Sequence, residues 1–258
     1  MNNILIKVEN LVKTFGGLVA LNDCSLEIQD KAITGIIGPN GSGKTTLFNV
    51  ITGNLKPDTG KVFYNGVEIT NEESHDLFHL GVLRTFQIAH EFSNMTVIEN
   101  LMVVPGNQKG ERLLYSLMNS QKIKKEDELI KDKAMEVLKF LKIEHLKNER
   151  AGNLSGGQKK LLELARTMMV DAKIVFLDEV GAGVNKTLLR DISDSILKLN
   201  QDKGYTFCMI EHDFNFISEL CDPVIVLAEG SVLFKGSADE VKSNEQVIES
   251  YLGKGLKK

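Results

Sequence analysis

Apolar and polar residues alternate from the start of the chain. Ile4, Ile6 and Val8 are separated by polar neighbours, the period of a half-buried strand, and VFYNGVEIT (62–70) carries the Asn65-Gly66 pair of a tight hairpin. The opening therefore reads as antiparallel β structure. AITGIIG (32–38) is a continuous apolar, β-branched run that ends in glycine and passes into the helix-like TTLFNVITG, which predicts strand, loop and helix in succession. Between residues 123 and 146, Ile130, Ala134, Val137, Leu138 and Leu141 recur at helical spacing, predicting an amphipathic helix. KIVFLDE (173–179), YTFCMIEH (205–212) and DPVIVLAEGSVLFKG (222–236) read as buried strands, the last folded back at Glu229-Gly230. Strands alternating with helices imply an α/β fold with a mainly parallel sheet. The polar stretch 108–128, with scattered leucines and methionines, fits either a helical subdomain or a solvated helix with a loop, and the terminal GKGLKK reads as a solvated tail.

Composition narrows the class. At 258 residues, with 42% hydrophobic and 26% charged, the chain suits one globular domain with a subdomain. A net charge of −4 with both signs interspersed offers no broad basic face, so a nucleic-acid partner is not expected. Cys24, Cys208 and Cys221 are odd in number and unpaired in spacing, as ordinary core thiols of a reducing compartment would be. Lys7, Glu9 and Lys13 interrupt the apolar residues at the N-terminus, which excludes a signal-peptide core, and no run approaches the ~18 apolar residues of a membrane span. Work at a membrane would proceed from the cytoplasmic side, through partners.

Gly38-Pro39-Asn40-Gly41-Ser42-Gly43-Lys44-Thr45 matches G-x-x-x-x-G-K-[ST] and lies between a predicted strand and a predicted helix, as that phosphate-binding motif requires; Thr46 is grouped with it. Glycines let successive backbone N–H groups turn toward phosphate oxygens at a helix N-terminus. Lys44 would reach the β and γ phosphates and Thr45 would ligate Mg²⁺. The apolar strand 174–177 delivers Asp178, a candidate Mg²⁺ ligand through water, and Glu179, a candidate base for the attacking water. Each alone would pass for a solvated acid at a strand end; the upstream loop gives them a role.

A second glycine-rich element, Leu154-Ser155-Gly156-Gly157-Gln158, opens the helical pattern KKLLELARTMM, with Ser155 as its N-cap. A single chain has no use for two separate phosphate-binding elements unless the second serves a nucleotide held by another copy. LSGGQ between a phosphate loop and an acidic strand resembles the signature of ABC ATPases, over nearly the whole chain from Phe15 to Leu252. The resemblance implies a P-loop NTPase core of RecA-like type with a mainly parallel sheet, an antiparallel β subdomain and an inserted α-helical subdomain. It places the core, with its antiparallel part, at 1–87 and 166–258 of a single domain spanning 1–258, and the helical subdomain, ending in the signature, at 88–165. It makes Phe15 the aromatic that stacks on adenine, Gln87 the glutamine that senses Mg²⁺ and links to the helical part, and His212 the switch histidine at the γ-phosphate. The loop Ala182-Gly-Val-Asn185 would cross a dimer interface. It also implies ATP and Mg²⁺ as cofactors, closed between Walker A of one subunit and LSGGQ of another.

FGGLVALNDCSLEI, RTFQ with MTVIENLMV, and VIESYLG are similar to the LivG-type ATPases of branched-chain amino acid importers and their urea-importer relatives. That likeness implies a subunit bound peripherally to the inner face of the cell membrane. Its partners would be membrane permease subunits, a second ATPase subunit, identical or sister, and, indirectly, an extracytoplasmic solute-binding protein. The chain departs from the family in carrying Val180 where a proline usually follows the glutamate, which leaves Glu179 freer, although valine favours extended backbone too. Three other readings remain. A GTPase would use N-K-x-D, and Asn185-Lys-Thr-Leu188 lacks the aspartate; LSGGQ argues against a small-molecule kinase too; a non-transport ABC ATPase would be expected to carry tandem cassettes or a long coiled coil, neither of which is read here, and an exporter-type ABC ATPase stays an alternative.

Overall fold

A computed structural model of the chain describes residues 3–85, 91–106, 108 and 120–252. They divide into two compact units, one of 1–87, 173–182 and 196–258, the other of 88–172 and 183–195.

The first unit is built on two sheets. β1 (Ile4–Phe15), β2 (Leu18–Gln29), β4 (Thr59–Tyr64) and β5 (Val67–Glu68) form an antiparallel sheet in the order β2-β1-β4-β5. The β4–β5 turn is at Asn65 (φ 48°) and Gly66 (φ 80°), the two left-handed residues that match the twist of a two-residue hairpin. The second sheet is six-stranded, in the order β10-β9-β3-β8-β7-β6, from β3 (Ile33–Ile37), β6 (Val82–Arg84), β7 (Ile174–Asp178), β8 (Thr206–Ile210), β9 (Val224–Ala228) and β10 (Ser231–Gly236). All its neighbours are parallel except β10, which returns along β9 through Glu229 (φ 49°) and Gly230 (φ 80°).

β3, β7 and β8 are buried at every position, as apolar runs without alternation require of strands covered on both faces. One core joins both sheets: Ile6, Leu11 and Ile28 from the antiparallel sheet share a cluster with Ile36, Phe176 and Ile210 from the other. Phe48, on helix Lys44–Ile51, meets Phe176 edge to face at 4.9 Å. The three cysteines are free thiols in buried positions, and burial raises all three, Cys24 to about 11.

The second unit is helical, with Val97–Met102, Ser120–Phe140 and Gly156–Met168 packed together and the start of helix Lys186–Lys203. Leu101, Ala134, Leu138, Leu161 and Leu162 are buried within it. Asn100 is fully buried and satisfies its amide locally: Nδ2 donates to the Phe92 and Thr96 carbonyls (3.1 and 2.9 Å), and Oδ1 accepts from the Phe92 N–H at 2.8 Å. The helix expected to reach residue 146 stops at Phe140, because Lys142 takes φ 60° and the chain resumes as a 3₁₀ turn, Glu144–Leu146.

Candidate nucleotide site

The phosphate loop runs from the end of β3 to the start of helix Lys44–Ile51. Gly38 is indispensable on steric grounds: a Cβ there would lie 2.2 Å from the Leu227 carbonyl oxygen, an atom of a fixed strand. Gly43 (φ 100°) is equally confined, with the Ala20 carbonyl 2.4 Å from its would-be Cβ, whereas Gly41 (φ 80°) faces open space. Ser42 is 3% exposed, and its hydroxyl has no hydrogen-bond partner among the described residues. Such an orphaned group at the mouth of a loop of backbone N–H donors suits an incoming oxygen anion.

Lys44 Nζ donates to the loop's own carbonyls, Gly38 O at 2.9 Å and Pro39 O at 3.0 Å. Desolvation lowers its pKa, and the carboxylates of Glu179 and Asp178 oppose that shift. The ammonium is thus tethered by weak neutral acceptors that a phosphate would outcompete. Thr45 is exposed and Thr46 half-buried at the first helical turn, while Pro39 and Asn40 form the turn on the strand side.

Asp178 ends β7, 2% exposed, and Arg84 at the end of β6 donates to its Oδ2 at 2.7 Å. Glu179 is next, and its Oε1 lies 3.0 Å from His212 Nε2, so the two predicted catalytic groups, 33 residues apart, are in contact. Glu179 takes φ 50°. That lies outside the extended region to which a following proline confines its neighbour, so Val180 is compatible with a geometry that proline disfavours. The turn is pinned by three hydrogen bonds: Glu179 N to Ile210 O (3.0 Å), Ala182 N to Glu179 O (3.2 Å) and Gly181 N to Glu211 Oε1 (2.8 Å). Glu211 is 5% exposed; burial raises its pKa, and nearby Glu179 adds to the shift. Phe15, at the end of β1, is 48% exposed, with Lys13 Nζ 5.7 Å from its ring centre. Asp58 accepts from Lys13 Nζ, Thr14 N and Thr14 Oγ1 at 2.7–2.8 Å, which holds it down at about 2 and ties that strand end in place. Gln87 lies outside the described residues.

The LSGGQ element belongs to the helical unit. Ser155 caps helix Gly156–Met168 in a capping box: Ser155 Oγ accepts from Gln158 N (3.4 Å) and Gln158 Oε1 accepts from Ser155 N (2.9 Å). Leu154 is buried beneath, Ser155 and Gly156 are exposed, and a Cβ on Gly157 would meet Leu188 at 2.2 Å. Ser155, Gln158, Asn185, Lys186 and Asp191 line one shallow concavity.

For Mg²⁺ the residues fit. No cluster of three or more His, Cys, Asp or Glu side chains suited to a metal occurs among the described residues, but Mg²⁺ asks for only one or two protein oxygens beside phosphates and water. Asp178 and Thr45 offer hard oxygen donors of that kind. Sequence reasoning did not single out Arg84 or Glu211. A charged residue closing the apolar strand VLR was the available signal for the first.

A six-stranded, mostly parallel sheet whose buried third strand opens into a glycine-rich loop and helix, with an acid pair ending a parallel strand two places away, defines a P-loop nucleotide hydrolase. The chain belongs to the ABC transporter family, whose pattern matches residues 21–182, and residues 231–257 match the branched-chain amino acid ATP-binding cassette transporter description. It is 43% identical over 249 residues to the probable branched-chain amino acid transport ATP-binding protein LivG of Archaeoglobus fulgidus, covering 96% of this chain and 95% of that one. Identity to the high-affinity LivG protein of Escherichia coli is 34% over 253 residues, 98% and 99% of the two chains. A solved nucleotide-free ATP-binding cassette from an ABC transporter superposes with a TM-score of 0.83 at 41% identity, over 97% of this chain and 99% of that one. An ADP-bound cassette gives 0.82 at 40% identity, with the same coverage. The chain is an ATP-binding subunit that hydrolyses ATP. Among the described residues no helix is long and apolar enough to cross a membrane.

Proposed function

We propose that this subunit energises uptake of branched-chain amino acids, or a similar small polar solute, from the inner face of the cell membrane, together with permease subunits and a second ATPase subunit. The contact between Glu179 Oε1 and His212 Nε2, beside the phosphate loop's Lys44, carries the hydrolytic part of this reading. The loop N–H groups and Lys44 hold the β and γ phosphates, Phe15 stacks on the adenine, and Glu179 takes a proton from the attacking water while His212 orients it. Thr45, Asp178 and Gln87 are the residues that would hold Mg²⁺, the carboxylate through water, and the ion would supply positive charge against the phosphates. Leu154–Gln158 of a second subunit closes over the same nucleotide, and loss of the γ-phosphate contacts reopens the interface. The helical subdomain, 88–165, passes that change to the permease.

The transport assignment draws on the relatives' names and on the match at residues 231–257. Its test is uptake in vesicles reconstituted with the neighbouring permease, sister ATPase and binding protein. ATP-dependent accumulation of leucine, isoleucine or valine is expected, lost in Glu179→Gln. Hydrolysis stimulated by some unrelated solute, with no response to these three, would overturn it.

A further inference from the structure

Arg84 joins two parts of the nucleotide site, the acidic strand end and the phosphate-loop helix. Its Nη2 donates to Asp178 Oδ2 at 2.7 Å, its Nη1 donates to Asn49 Oδ1 on the phosphate-loop helix, and its guanidinium lies 5.7 Å from the Phe48 ring centre. The side chains of Arg84 and Asp178 are only 9% and 3% exposed, and Arg84 Nε has no hydrogen-bond partner among the described residues. A buried ion pair of this kind is costly to assemble, and removing one partner leaves the other charge stranded. The register brings it about: Arg84 pairs with Phe176 across β6 and β7, two residues before Asp178.

We propose that Arg84 is a positioning residue for the divalent cation that acts through charge: it neutralises Asp178 while no metal is present, and tempers the carboxylate's hold on the metal once nucleotide brings it in. The inference rests on the reading of Asp178 as a Mg²⁺ ligand. A carboxylate already committed through Oδ2 to a guanidinium presents less net charge to a second cation, so metal enters and leaves with the nucleotide rather than lodging at Asp178. A merely structural clamp would behave oppositely, since its loss would loosen the carboxylate and weaken the metal.

The sign of that difference is measurable without turnover. ADP affinity is determined with Mg²⁺ and with chelator for the full chain and for Arg84→Gln and Arg84→Lys. The ratio of the two affinities should rise ~10-fold in Arg84→Gln, which removes the charge, and ~2-fold in Arg84→Lys, which keeps a shorter, more distant one. Should Arg84→Gln fail to fold, the Arg84→Lys ratio decides alone. Ratios equal to or below that of the unaltered protein would overturn the proposal. A ratio of one in the unaltered protein would instead remove Mg²⁺ from Asp178 altogether, a separate failure.

Discussion

The phosphate loop and the LSGGQ element are both glycine-rich turns that open a helix, yet they are held in different ways. Around the loop the supporting groups are mostly buried: β3 lies inside the sheet, Gly38 is jammed against a neighbouring strand, Lys44 is 6% exposed, and the buried Ser42 hydroxyl has no partner among the described residues. At the second element the cap itself is exposed, Ser155 and Gln158 satisfy one another, and only Leu154 and Gly157 are anchored below. The loop is a receptacle complete within one chain. The other is a self-contained edge, exposed at Ser155 and Gly156 and closed on itself by the capping box.

The contrast breaks most readily at the chemistry. Glu179→Gln should reduce steady-state hydrolysis ~10²-fold or more while leaving ATP affinity near normal; turnover close to that of the unaltered protein would remove Glu179 as the base. Next comes the division of labour between the two turns. Gly38→Ala drives a Cβ to within 2.2 Å of Leu227 O and should lower ADP affinity by at least ~10-fold. Ser155→Ala should leave ADP affinity within ~2-fold, cost about 1 kcal/mol of helix capping, and lower hydrolysis ~10-fold. An equal loss of ADP affinity in both variants would mean that the two turns do not differ in kind.

Much of this was legible in the sequence because it is local. The strand, loop and helix over 32–51 follow from an apolar run, a glycine pattern and a helical period, and Asn65-Gly66 carries its own turn chemistry. The Gln158 half of the capping box follows from its three-residue spacing from Ser155. The rest depends on register. Nothing local tells Arg84 that Asp178 will stand beside it, or Glu211 that it will receive the Gly181 N–H, since both pairings exist only once the parallel strands align. The left-handed Glu179 is similar: Val180 removes a restriction, but the chosen conformation is held by the bonds from Glu179 N to Ile210 O, from Ala182 N to Glu179 O and from Gly181 N to Glu211 Oε1.

The smallest expected effect concerns Glu211. Burial raises its folded pKa, so its contribution to stability is present below the ordinary carboxylate range and is lost as pH rises through the raised value. Glu211→Gln keeps an acceptor for Gly181 and cannot ionise. It should melt ~2 °C higher than the unaltered protein near pH 8, with the gain vanishing toward pH 4; melting curves that stay parallel across that range would contradict it.

The central claim is that the two turns act on one nucleotide from different subunits, and the most direct measurement is the solution mass of Glu179→Gln, alone and mixed with its sister ATPase, in saturating Mg-ATP. The account predicts a dimer that forms with Mg-ATP, dissociates with ADP, and fails when Ser155→Arg is added to both subunits' signature positions. A strictly monomeric protein under every one of those conditions, or a dimer indifferent to the Ser155 change, would contradict it.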